Sequence, residues 1–146
     1  MRHICLALVA LSTIFGSPAD AASDGDVLKQ FGMLGTFAVT CAAPPSQSNP
    51  YLIYSVSPQG VVTYTLNMMN TDLDGTERIH NLRLLAPDRL QHDRVGRQYN
   101  TTITVVKIAG KIRSWRSVRA DGTVLIQDGT FVNGGSPTQS FEKCAN

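Results

Sequence analysis

Four polar side chains of this 146-residue chain stand in phase with apolar residues along predicted strands. Successive strand residues point to opposite faces, so Tyr54 and Tyr64 share a face with leucines and valines. An apolar cup with a few converging polar groups is typical of a site for a small ligand. The same residues would also suit a filled core whose tyrosine hydroxyls bond to neighbours. The candidate ligand-binding residues are Tyr54, Tyr64, Ser114 and Arg116.

A second candidate site is a basic face on the strand predicted over residues 111–119. Between residues 76 and 120 the chain carries ten lysines and arginines against three acidic residues. Strand alternation groups Arg113, Trp115 and Arg119 on one face. Facing outward, this set would suit an anionic surface, a polysaccharide or a protein partner. The alternative is a solvated face whose arginines cover the tryptophan by stacking.

The chain carries no motif that indicates catalysis. It has no Gly-x-Ser-x-Gly sequence, no His-Glu-x-x-His sequence and no phosphate-binding loop. His80, His92 and two distant cysteines lack the spacing of metal ligands. A formal net charge of +2 does not indicate a nucleic-acid partner. We therefore expect no enzyme activity, no cofactor and no metal, and a small molecule or a secreted protein as the partner.

The N-terminal residues 1–21 have the three regions of a secretory signal peptide. A short basic start precedes an apolar run from Ile4 to Phe15. Ala19-Asp20-Ala21 matches the small-x-small pattern before a cleavage site, which predicts a mature chain that begins at Ala22. No apolar stretch reaches the length of an ordinary membrane span. We predict a periplasmic or secreted protein with one domain over residues 22–146.

Removal of the signal peptide would also remove Cys5 and leave Cys41 and Cys144. Two cysteines allow one pairing, and disulfides persist in an oxidising compartment. The bond would close a loop of roughly 100 residues, which the chain-entropy treatment values at about 4–5 kcal/mol. The sequence therefore predicts a Cys41–Cys144 disulfide.

Turn residues divide the mature chain into one short helix and a series of strands. Ser23 to Asp26 offers N-cap residues and Gly32 offers a stop, which predicts a helix of at most two turns that ends at Phe31. Eight runs rich in β-branched and aromatic residues follow at intervals of about ten residues. The predicted strands cover residues 35–41, 51–56, 61–66, 78–85, 89–95, 99–108, 111–119 and 123–127.

The short connections favour an antiparallel meander, because parallel strands need long crossover segments. A barrel and a two-sheet sandwich both fit this pattern. In a closed up-and-down barrel the first and last strands are neighbours, so Cys41 and Cys144 would meet at the seam. A Greek-key sandwich could also bring the chain ends together. We predict the barrel: an all-β, eight-stranded antiparallel up-and-down fold with a short N-terminal helix.

Gly35-Thr36-Phe37 opens the first predicted strand directly after the short helix. A Gly-x-aromatic motif there, ahead of an eight-stranded meander, resembles the lipocalin or calycin pattern. Stretches at residues 35–41, 49–50 and 141–144 also resemble small uncharacterised secreted proteins of bacteria. The lipocalin resemblance implies a monomeric barrel that holds a small, partly apolar ligand at its open end, with Phe37 buried near the floor. The alternative is a protein-interaction module, such as an inhibitor of a secreted protease or another hydrolase.

Overall fold

A computed structural model describes residues 22–145, so the predicted signal peptide lies outside the described residues. This part of the chain forms one helix and ten strands. The elements are α1 Asp24–Phe31, β1 Gly35–Ala38, β2 Tyr51–Val56, β3 Val62–Asn67, β4 Gly75–Ala86, β5 Arg89–Val95, β6 Thr101–Ile108, β7 Lys111–Arg119, β8 Val124–Gln127, β9 Thr130–Phe131 and β10 Glu142–Lys143.

Helix α1 begins and ends at the residues that its sequence predicts. The Ser23 hydroxyl accepts a hydrogen bond from the Asp26 N–H at 3.2 Å, which satisfies a free donor of the first turn. Gly32 follows the helix at φ 74°, in the left-handed conformation that glycine adopts without strain. The predicted short helix is confirmed.

Helix α1 covers one end of the sheet. Its apolar side, formed by Val27, Leu28 and Phe31, is buried in the core. The Asp24 carboxylate accepts hydrogen bonds from the N–H groups of Asn81 at 3.1 Å and Leu82 at 2.8 Å. Those N–H groups lie where the β4–β5 register shifts, so Asp24 satisfies backbone donors that the ladder leaves free. Polar and apolar contacts together close this end of the fold.

The strands form a single antiparallel sheet in the order β10-β1-β2-β3-β4-β5-β6-β7-β8-β9, which curls into a half-barrel. Each strand from β1 to β8 pairs with the next along the chain, so the predicted all-β meander is confirmed. The predicted count of eight strands is wrong. Strands β9 and β10 have 2 residues each, too few to produce an alternating pattern.

The predicted closure of the barrel between the first and eighth strands is wrong, because β1 pairs with β10 and the sheet stays open between its edge strands β9 and β10. Phe37 in β1 stands opposite Lys143 in β10. The Cys41–Cys144 disulfide follows directly, with the two Cα atoms 5.3 Å apart, and confirms the predicted pairing. Ile112 of β7 and Phe141 exchange backbone hydrogen bonds of 2.9 and 2.8 Å. The C-terminal segment therefore links both sides of the half-barrel near α1.

The apolar core fills the half of the interior nearest α1. Phe37 is 2% exposed, and its ring meets the Tyr54 ring edge-on with centroids 6.0 Å apart. The predicted burial of Phe37 is confirmed. The buried cluster draws on the helix and on seven strands: Val27, Leu28, Phe31, Met33, Phe37, Tyr54, Val62, Ile79, Leu82, Leu90, Ile103, Val105 and Ile112.

A β-bulge at Trp115 changes the faces of β7. Val105 of β6 pairs with Ser114, but the preceding Thr104 pairs with Arg116, so Trp115 is an extra residue. Ser114 faces inward beside Val105, whereas Arg116 faces outward, is exposed and bonds to Gln127. The predicted placement of Arg116 in the interior is wrong. The extra residue shifts the alternation of faces by one position, so residues after Trp115 point to the opposite side from the one expected.

Candidate functional site

The interior becomes polar at the end away from α1. Paired residues of neighbouring strands share a face, and β5 pairs His92 with Ile103 and Arg94 with Ile79. Ile79 and Ile103 belong to the core, so His92 and Arg94 also point inward. Tyr64 of β3 shares this face, opposite Glu77 of β4.

Tyr64, His92 and Arg94 line an inner cavity of about 50 Å³. Three of the four predicted ligand-binding residues, Tyr54, Tyr64 and Ser114, line it, and Arg116 does not. The other lining residues are Leu52, His92, Arg94, Ile103 and Val105. A cavity of this size has room for water or for one end of a ligand.

A larger, mainly apolar cleft of about 250 Å³ adjoins the inner cavity, because Leu52, Tyr64 and Ser114 line both. It lies between the β2–β3 side and the β7–β8 side, where the half-barrel is open, and is bordered by the segment after β8. Its remaining lining residues are Pro50, Leu66, Met68, Ile126, Phe131, Thr138, Gln139 and Phe141. Hereafter we call it the side cleft.

His92 is the most enclosed polar side chain of the inner cavity, at 2% exposure. Its Nδ1 atom has no hydrogen-bond partner among the described residues. Burial, followed by the positive charge of Arg94, lowers the pKa of His92 to about 4. The ring is therefore neutral at pH 7 and offers one donor and one acceptor.

Arg94 lines the inner cavity and forms an ion pair with Glu77 on the side away from α1. Its Nε lies 3.0 Å from Glu77 Oε2, but the N–H does not point at that oxygen and stays without a hydrogen bond. The guanidinium also lies over the Tyr64 ring, 5.4 Å from its centroid. Burial raises the pKa of Tyr64 to about 12, although Arg94 acts in the opposite direction. Burial likewise raises the pKa of Tyr54.

A third cavity of about 210 Å³ opens at the end away from α1 and is lined by Tyr64, Leu66 and Arg94 together with loop residues. Arg97, from the β5–β6 loop, reaches across to the β3–β4 loop and donates to the Asp74 carbonyl. A Cβ at Gly75 would overlap the Arg97 guanidinium, so a larger residue there would make Arg97 shift. Arg97 therefore narrows the open end.

The predicted basic face of β7 is divided between two places. Arg113 donates to Gly129 O at 2.6 Å and to Thr138 Oγ1 at 3.1 Å, so it ties the segment after β8 to β7. Arg119 lies beyond the bulge, over the Tyr99 ring at 4.3 Å and 3.2 Å from an Asp121 oxygen. The grouping of Arg119 with Arg113 and Trp115 is wrong, because the bulge turns Arg119 to the face of Thr101.

The sequence prediction missed His92, Arg94 and Glu77. The sequence does contain a pattern that could indicate His92 and Arg94. Both alternate along β5 with Leu90, which is fully buried, so all three lie on one face. The two apolar residues of this strand, Leu90 and Val95, lie on opposite faces, so the pattern does not fix which face is inside.

Searches against protein-family models, curated proteins and solved structures find no match to this chain. Within residues 22–145, no helix has the length and apolar character needed to cross a bilayer. The same residues contain no group of three or more His, Cys, Asp or Glu side chains placed to hold a metal ion. The inner cavity and the side cleft are therefore the features of this chain that bear on its function.

Proposed function

We propose that this protein is a lipocalin-like binding protein that takes a small, partly apolar ligand into its half-barrel. The observation that carries the proposal is the inner cavity, where apolar walls meet the converging polar groups of Tyr54, Tyr64, His92 and Ser114. The ligand's polar end would enter this cavity, and its apolar body would lie in the side cleft against Leu66 and Phe131.

The unpartnered Nδ1 of His92 favours a ligand site over a filled core. A buried polar atom without a partner costs roughly 1–3 kcal/mol, and cores normally satisfy such atoms. A water molecule or the polar end of a ligand in the inner cavity would recover this energy by bonding to Nδ1.

The cavity volumes favour a ligand smaller than a typical drug. The inner cavity and the side cleft, at about 50 and 250 Å³, together reach only the lower limit of the roughly 300–1,000 Å³ of ordinary binding pockets. An eight-carbon molecule such as 1-octanol is therefore a suitable probe.

The test is an NMR titration of the mature protein with 1-octanol. We expect saturable shifts at residues of the inner cavity and the side cleft. Ser114→Met should weaken binding by at least about tenfold, because the added methylenes fill the space where the two cavities meet. Ser55→Met is the matched control, since Ser55 is exposed on the outer face of β2 and should leave the affinity unchanged.

Absence of saturable binding, or equal affinities of wild type and Ser114→Met, would contradict the proposal. If Ser114→Met does not fold, Leu66→Trp provides the second variant. Leu66 lines both the side cleft and the third cavity, at the end away from α1. An indole at this position would fill part of the side cleft and should weaken the binding of 1-octanol.

A second candidate function, inhibition of a secreted hydrolase or another protein interaction, draws on the loops at the open end. Met69 and Leu73 are 73% and 58% exposed on the β3–β4 loop, and Tyr99 is exposed on the β5–β6 loop. Exposed apolar side chains that cluster on loops are common where a protein partner docks. This function predicts that Leu73→Asp abolishes a complex with a host protein while Ser114→Met preserves it.

We further propose a periplasmic or secreted location. The Cys41–Cys144 disulfide supports an oxidising compartment. The intact mass of protein recovered from its host should correspond to a chain that begins at Ala22. Recovery of a chain that retains Cys5 would contradict this assignment.

A further inference from the structure

The charges at the inner cavity are already balanced. Among the described residues that line it, Arg94 carries the one permanent charge, and Glu77 lies against the Arg94 guanidinium at 3.0 Å. A ligand with a charged end would therefore find no free counter-charge. Burial of an uncompensated charge costs far more than burial of a hydrogen-bonded neutral group.

The remaining polar groups are ones that both donate and accept hydrogen bonds. They are the hydroxyls of Tyr54, Tyr64 and Ser114 and the imidazole of His92. A hydroxyl, an amide or a ketone matches such groups without any change of charge. A carboxylate supplies acceptors only, and an ammonium supplies donors only.

The groups around the cavity themselves favour their uncharged forms. Burial raises the pKa values of Tyr54 and Tyr64, which opposes negative charge. Burial lowers the pKa of His92, which opposes positive charge. Burial in this cavity would disfavour a charge on a ligand atom in the same way.

We infer that the inner cavity selects ligands whose buried end is an uncharged hydrogen-bonding group, such as an alcohol, an amide or a ketone, over carboxylates and amines of equal chain length. This inference rests on the proposed function, because it concerns the ligand that the half-barrel holds.

The first test compares four eight-carbon probes at pH 7: 1-octanol, octanamide, octanoate and octylammonium. Calorimetry and NMR titration of the mature protein should give affinities for the two neutral probes at least about tenfold tighter than for the two charged ones. A charged probe that binds within tenfold of 1-octanol would overturn the selectivity and leave the proposed function in place. No saturable binding by any of the four would overturn both.

The second test removes the counter-charge. Glu77→Gln leaves Arg94 unpaired, so the ratio of the octanoate affinity to the 1-octanol affinity should rise at least about tenfold. Asp88→Asn is the matched control, because it removes a carboxylate from the exposed β4–β5 turn at the opposite end. An unchanged affinity ratio in Glu77→Gln would overturn the inference.

The reciprocal variant Arg94→Gln keeps the test valid if Glu77→Gln does not fold. It leaves Glu77 as the unpaired charge beside the cavity, so octylammonium rather than octanoate should gain affinity by at least about tenfold. Arg116→Gln is the matched control, since Arg116 faces outward. A gain for octanoate in Arg94→Gln, or no gain for octylammonium, would overturn the inference.

Discussion

At the scale of single residues, His92 connects the candidate site to the stability of the fold. Its imidazole is almost fully buried beside Ile103, and burial lowers its pKa to about 4. In the unfolded chain the same ring would titrate near its ordinary value of about 6.5. Between these two values the unfolded state binds a proton that the folded state does not.

We predict that the free energy of unfolding falls as the pH is lowered from about 6.5 towards 4, by about 3 kcal/mol in total. The stabilising contribution is fully present above pH 6.5 and is lost as the unfolded chain becomes protonated. Urea titrations of wild type and His92→Gln across this range measure the contribution as a difference.

The control for this prediction is His80→Gln, which removes an imidazole from the outward row of β4, opposite Asp93. Because His92 is intact in this variant, the pH dependence should persist. A wild-type profile parallel to that of His92→Gln would contradict the predicted burial of a neutral imidazole.

At the scale of elements, the bulge at Trp115 is the place where the end of the chain docks on β7. The Gly129 N–H donates to the Trp115 carbonyl at 2.8 Å, and Arg113 donates to the Gly129 carbonyl at 2.6 Å. Thr138 completes the contact through a 2.7 Å bond from its hydroxyl to the Ser114 carbonyl. These bonds position the segment that borders the side cleft.

We predict that Gly129→Ala destabilises the protein by about 1–3 kcal/mol more than Gly60→Ala. Both glycines have positive φ, 71° and 79°, so backbone strain is common to the two variants. A Cβ at Gly129 would lie 2.8 Å from Arg113 Nη2 and 3.2 Å from Trp115 Cε3, whereas a Cβ at Gly60 meets nothing within 4 Å. Equal losses in urea titrations would contradict the close docking.

Local signals explain which elements could be predicted from the sequence. The Ser23 cap and Gly32 stop act within a few residues of α1, and turn residues bound the eight longer strands. The bulge could not be predicted, because residues 111–119 alternate without a visible break and the extra residue is defined only by pairing with β6. Strands β9 and β10 depend on long-range pairing for the same reason.

Strand alternation likewise predicts some residues of the candidate site correctly and misses others. Tyr54 and Tyr64 lie in regular strands and Ser114 precedes the bulge, so alternation places all three correctly in the interior. Arg116 follows the bulge and lies on the opposite face from the one expected. His92 and Arg94 require knowledge of which face of β5 is covered, and only the assembled sheet provides it.

At the scale of the whole molecule, the disulfide joins the first strand to the last. Cys41 follows β1, Cys144 follows β10, and 103 positions separate them along the chain. Pairing of elements so distant in sequence forms late and at a high entropic cost. The crosslink limits the unfolded chain where that cost is largest.

We predict that Cys41→Ser or Cys144→Ser lowers the free energy of unfolding by up to about 4–5 kcal/mol. The double variant should lose little more than either single one, since each change breaks the same bond. Thiol labelling of denatured, unreduced protein provides the check and should detect no reactive thiol in the mature chain. Two reactive thiols, or additive losses in the double variant, would contradict the proposed role of the crosslink.

Contacts between protein and ligand test most directly whether the inner cavity and the side cleft hold a ligand. Intermolecular NOEs should be measured between isotope-labelled mature protein and unlabelled 1-octanol. We predict contacts from the carbinol protons to the Tyr54 and Tyr64 rings, and from the terminal methyl to Met68 and Phe131. Contacts confined to outward-facing residues such as Arg116, or no contacts at saturating octanol, would contradict the account.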